Sequence, residues 1–150
     1  MGTNESSLGK LSAHTNSQVE SEVIWNATQH IATADQKEQK FMDLPTEIRE
    51  ELCKHLTFED IPSSEELRMR SIAVIGLLMT CGAKPGDCVM LGGAPFFMEE
   101  LSHTTREAGM TPVFAFSKRE SAEQVQADGT IRKVAIFKHL GFVKPSIPQP

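Results

Sequence analysis

Apolar residues fall along this chain in short runs separated by polar, cap-forming stretches, the rhythm of alternating strands and helices. Val23-Ile24-Trp25 is the first such run, short and β-branched, and it predicts strand one. Asn26 to His30 follows as a polar loop, after which Thr33-Ala34-Asp35-Gln36 has the form of a capping box starting a short helix to about Phe41. Pro45 opens another helix with Ile48, Leu52 and Leu56 on one face and Glu47, Arg49, Glu50, Glu51 and Lys54 mostly solvated. Ser63-Ser64-Glu65-Glu66 is a second capping box, and its helix runs to about Cys81, where Gly82 stops it. Residues 72–79 of that helix are apolar nearly all round, which implies packing on more than one side, against a sheet or at a subunit interface.

The second half of the chain turns on one stretch. Val89-Met90-Leu91 reads as a buried strand that ends in Gly92-Gly93, where the backbone turns without a Cβ penalty. Pro95 suits the first position of the helix that follows, Phe97, Leu101 and Ala108 recur at helical spacing, and Gly109 sits where a left-handed cap belongs. Pro112-Val113-Phe114-Ala115-Phe116-Ser117 is a further buried strand that becomes polar at Lys118-Arg119-Glu120. Asp128-Gly129 then separates two alternating segments, 120–126 and 130–137, as in a β-hairpin. The predicted fold is α/β: a three-layer Rossmann-like sandwich with a mainly parallel sheet and a C-terminal antiparallel β-hairpin.

Composition narrows the class. Residues 1–20 are polar and read as a disordered leader, 21–143 as one domain, and 144–150, with three prolines, as a tail. No apolar run approaches the roughly 20 residues needed to span a bilayer, and the first residues lack an apolar signal core, so a cytoplasmic protein without membrane partners is expected. Cys53, Cys81 and Cys88 have no CxxC spacing and read as reduced thiols. Fifteen basic against twenty acidic residues, a net charge of −5, argues against a surface for long nucleic acid but not against a small phosphorylated ligand in one pocket.

Right-handed crossovers place the carboxyl ends of parallel strands on one edge, where open α/β sheets bind ligands. Three predicted loops fall there, carrying Asn26, Thr28 and His30; Gly92, Gly93 and Ala94; and Ser117, Lys118 and Arg119. Backbone donors at a helix N-terminus, two cations, hydroxyls and an imidazole suit a phosphodiester or nucleotide. No acidic pair lies on these loops to hold a metal, and no cofactor motif is present: there is no GxGxxG and no GxxxxGK[ST]. Each residue also has a structural role open to it. Gly-Gly-Ala-Pro serves equally as a tight turn, His30 as a local backbone partner, Arg119 as an ion-pair partner of Glu120 or Glu123, and Trp25 as core.

Several stretches together resemble a known group. The Asn26 loop with His30-Ile-Ala-Thr33-Ala-Asp-Gln36, the Leu44-Pro45 helix, residues 86–93, and Pro112 through Glu120 resemble small CRISPR-associated proteins of the type III ring-nuclease group. So does the ending of Asp128-Gly129, Lys133, Phe137-Lys138-His139 and Phe142. The chain is closer still to a group of phage and bacterial proteins with Gly-Gly-Ala-Pro in the central turn. The resemblance implies a homodimer of Rossmann-like subunits that binds a cyclic oligoadenylate or related messenger of antiviral defence and cleaves it without metal. On this chain it would make Arg119 or Lys118 the cation at the phosphorane and His30 the proton carrier. Asn26, Thr28, Gly92, Gly93, Ala94 and Ser117 would then hold the ligand. Gly-Gly-Ala-Pro replaces the more polar turn of the CRISPR-linked members, which bears on cleavage more than on binding. The alternatives are a non-catalytic sponge for such a signal and a homodimeric interaction module with no ligand.

Overall fold

The computed structural model describes residues 23–32 and 40–145. Among these residues five strands and three helices follow one another as β1 (Ile24–Ala27), β2 (Phe41–Met42), α1 (Thr46–Leu56), α2 (Ser64–Thr80), β3 (Cys88–Leu91), α3 (Pro95–Glu107), β4 (Thr111–Val125) and β5 (Ile131–Val143). The sheet order is β2-β1-β3-β4-β5. β1 is parallel to β2 and to β3, β3 is parallel to β4, and β5 runs antiparallel to β4. This is the Rossmann-like α/β sandwich, mainly parallel with a closing antiparallel hairpin, that the alternation of runs and caps implies.

Both faces of the central strands are covered, so β3 is a continuous apolar run and β1 is buried on both faces with Asn26 as its one polar residue. On one face Trp25, Ala27, Val89 and Leu91 pack against Leu52 and Leu56 of α1, Val74, Ile75 and Leu78 of α2, and Phe97 and Leu101 of α3. On the other, Ile24, Cys88, Met90 and Val113 meet Ala32, Phe41 and Phe142, with the Phe41 and Phe142 rings stacked 5.8 Å apart.

The helices begin and end as their sequences dictate. Ser63 caps α2, its hydroxyl accepting from the Glu66 amide at 3.1 Å. Pro95 sits in the first turn of α3, and Gly109, at φ +80°, adopts the left-handed conformation that closes the helix. Trp25 is buried in the core, its indole donating to Asp87 Oδ2 at 3.0 Å.

Three expectations change. Strand one extends to Ala27, so Asn26 is a strand residue and not a loop residue, because its amide is satisfied inside the fold. Phe41 opens strand β2 beside Ile24 instead of ending a helix; the capping box that would start that helix lies outside the described residues. Ser117, Lys118 and Arg119 are not on a loop either. No glycine, proline or asparagine interrupts residues 114–125, and with solvent on both sides polar residues there do not stop a strand, so β4 runs on to Val125.

That continuation is an arm. β3 pairs with β4 only from Thr111 to Val113, whereas β5 follows β4 from Phe114 to Val125. The two-stranded ribbon is roughly 35–40 Å long at about 3.4 Å per residue. A register shift at Phe116/Ser117 leaves Leu140 as an extra residue on β5. At the tip Gly129 takes φ +87° and Asp128 accepts from both the amide and the hydroxyl of Thr130.

Candidate functional site at the carboxyl ends of β1 and β3

The chain leaves β1 toward β2 on one side and leaves β3 toward β4 on the other. The crevice between their carboxyl ends is therefore the switch point at which open α/β sheets take ligands. A cleft of about 640 Å³ lies there, lined by Thr28, Gln29, His30 and Ile31 after β1, by Met90 through Ala94 at the end of β3, by Phe114 and Ala115 of β4, and by Leu56 of α1.

Asn26 builds one wall from below. It is 2% exposed, and its Nδ2 donates to the His30 carbonyl at 2.6 Å and to Asp43 Oδ1 at 2.8 Å. Its Oδ1 accepts from the Thr28 amide at 3.0 Å and the Thr28 hydroxyl at 2.7 Å. Asp43 Oδ1 also accepts from the Ala32 amide at 3.3 Å, and Arg49 Nη2 donates to the Gln29 carbonyl at 3.2 Å. The loop is thus tied to β1, to the segment before α1 and to α1 itself. The main chain of His30 is held by these bonds while its side chain is exposed on the cleft.

The opposite wall is the Gly92–Gly93 turn. A Cβ on Gly92 would lie 3.2 Å from Thr28 Cγ2, so the two loops touch only because that residue has no side chain. Gly93 has φ +153°, a conformation that side chains disfavour. Ala94 caps α3 with no side-chain hydrogen bond and lines the cleft, so the positive end of the helix dipole begins at this wall; Pro95 has no N–H, and the Phe97 amide bonds the Ala94 carbonyl at 3.0 Å. The remaining walls, Ile31, Leu56, Met90, Leu91 and Phe114, are apolar. Among the described residues His30 is the one titratable side chain in the lining, and none of them sets a carboxylate on the cleft. Among the described residues no group of three His, Cys, Asp or Glu side chains is placed to hold a metal ion.

Of the residues singled out from sequence, Thr28, His30, Gly92, Gly93 and Ala94 come together around this cleft. Thr28 presents its methyl to Gly92 while its hydroxyl is engaged with Asn26, and Asn26 lies buried beneath the loop. Ser117, Lys118 and Arg119 do not line the cleft; they are exposed on the arm, with Lys118 opposite Lys138 and Arg119 opposite Phe137. Asp43 and Arg49 were not legible as parts of the site. Arg49 reads as a solvated charge in the sequence and nothing there singles out Asp43; only the fold brings them to the loop after β1.

Residues 22–143 match the Uncharacterized protein MJ1673 family. The chain belongs to that family. No curated protein and no solved structure matches the chain. Among the described residues no helix is long and apolar enough to cross a membrane.

Proposed function

We propose that this member of the MJ1673 family binds a nucleotide second messenger, with a cyclic oligoadenylate favoured, in the cleft between β1 and β3. The observation that carries the reading is the meeting of a two-glycine turn, a helix N-terminus without a side-chain cap and one imidazole in a cleft where the described residues set no carboxylate. The glycine turn's backbone, the positive end of a helix dipole and a histidine suit a phosphate, and the apolar walls suit the face of a base. The resemblance to ring nucleases supplies the cyclic oligoadenylate as the favoured ligand.

Binding without turnover is the form of this reading that the geometry supports best. Metal-independent cleavage by a ribose 2′-hydroxyl needs positive charge held against the phosphorane. Lys118 and Arg119 lie off the cleft, which leaves His30 as its one proton-transfer group among the described residues. Such a protein sequesters its ligand.

Titration calorimetry against a panel of cyclic oligoadenylates and cyclic dinucleotides tests the proposal. Heat is expected from at least one of them, with His30→Ala weakening it about tenfold, the loss of one charge-assisted contact. Absence of heat across the panel removes the reading. Heating the complex then separates sequestration, which returns intact ring, from cleavage, which returns linear product.

A further inference from the structure

The arm formed by β4 and β5 carries an exposed face with no counterpart among the described residues. Cross-strand pairing places in successive rows, from body to tip, Ser117 with His139, Arg119 with Phe137, Ser121 with Ala135, Glu123 with Lys133, and Val125 with Ile131. All eight residues of the last four rows are exposed, including Phe137 at 74%, Val125 at 72% and Ile131 at 63%. On the opposite side Glu120, Ala122 and Val134 are half-buried, whereas Lys118, Gln124, Arg132, Ile136 and Lys138 are exposed. A two-stranded ribbon on its own is marginal in water, and one that shows three large apolar side chains on one face gains by covering them.

We propose that this face joins two copies of the chain about a two-fold axis that lies in the interface and crosses the strands over Ser121 and Ala135. The row order is what selects a second copy as the occupant. The central row is small, so the ribbons approach closely there, and the half-turn exchanges the rows on either side of it. Arg119 then faces Glu123 of the partner subunit, and Glu123 faces the partner's Arg119. Phe137 lies against the aliphatic stem and ammonium of the partner's Lys133, a cation–π arrangement. Val125 and Ile131 at the tip come over Ser117 and His139 of the partner subunit. The His139 ring already stacks edge-on with Phe142 at 4.9 Å, so the tip meets an aromatic surface. A self-matching patch of this kind defines an isologous dimer, and stacked ribbons tolerate the offset of about 30° that strand twist imposes. The bodies sit at opposite ends of the paired arms, and the dimer does not depend on what the cleft binds.

About ten residues a side make a small interface, so association in the micromolar range is expected. Sedimentation of the full chain from about 1 to about 200 µM brackets that range. The wild-type protein is expected to pass from the 16.6 kDa chain mass to twice that mass. Ala135→Arg, which places a charge on the axis at a position exposed in the free chain, should hold the protein monomeric. Arg119→Glu sets like charges against each other across the axis and should raise the dissociation constant about tenfold, whereas Arg119→Glu with Glu123→Arg in the same chain restores the pairing and the affinity. Ser121→Cys should form a covalent dimer on mild oxidation that the wild-type cysteines do not form. Circular dichroism confirms that each variant folds. A monomeric wild type at every concentration, a dimer that survives Ala135→Arg, or a double charge exchange no better than Arg119→Glu alone would overturn the proposal.

Discussion

Replacing Asn26 by alanine tests how the cleft is built. The side chain is 2% exposed and makes four hydrogen bonds that bridge β1, the loop after it and Asp43. A neutral hydrogen bond contributes about 1 kcal/mol net and one to a carboxylate about 1.5–3 kcal/mol. These four share partners and are not additive, so the expected loss for Asn26→Ala is about 3 kcal/mol, the sum discounted for coupling. For a domain of this size that corresponds to a fall in Tm of about 10 °C. The fluorescence of Trp25, the single tryptophan and buried in the core, reports the melt. Hydrogen exchange adds the local signature: amides of residues 28–32 should open well before those of β3. Asn26→Asp, the same shape without the two donors, should cost as much near neutral pH. Its deficit should shrink as acid protonates the new carboxyl and restores one donor. A loss below about 1 kcal/mol for Asn26→Ala, less than a single one of these bonds is worth, with unchanged exchange in the loop, would refute the reasoning.

Other consequences are equally direct. Gly92→Ala should push the loops apart, because the new Cβ lies 3.2 Å from Thr28 Cγ2, and destabilise by about 1 kcal/mol, while adding Thr28→Ser removes the clashing methyl and recovers most of that loss in a double-mutant cycle. Trp25→Phe leaves the buried Asp87 carboxylate without its indole donor, keeping only the Lys84 amide at 3.1 Å, and should cost about 2 kcal/mol in urea unfolding. The Thr130 hydroxyl, then the Thr130 amide, hold the Asp128 carboxyl below the usual value of 3.8. This depressed group supports the arm's turn fully above the unfolded aspartate range, and the support is lost as pH falls through the lower folded value. Carboxyl NMR should therefore show Asp128 titrating below 3.8, moving back toward it in Thr130→Val.

Where local chemistry decides, the sequence is readable. Val89-Met90-Leu91-Gly92-Gly93-Ala94-Pro95 carries its own strand, turn and helix start, and the structure follows it. Asp128-Gly129 is sufficient to place the arm's turn. What escapes reading is set by partners distant in the chain. Asn26 looks like a loop residue because polarity inside a strand is invisible until Asp43 and the His30 carbonyl are brought to it. The polar step at Lys118 looks like a strand end because nothing local distinguishes a loop from a strand with solvent on both faces. That single difference moves Ser117, Lys118 and Arg119 from the cleft to the arm and shifts the reading from cleavage toward sequestration.

The central claim is that the cleft between β1 and β3 receives an anionic nucleotide, and hydrogen exchange with and without cyclic tetra-adenylate, then with the other members of the calorimetric panel, addresses it residue by residue. Protection is expected at residues 28–31 and 92–96 and not along residues 118–138. Protection confined to the arm, or none with any of these ligands at full occupancy, would contradict it.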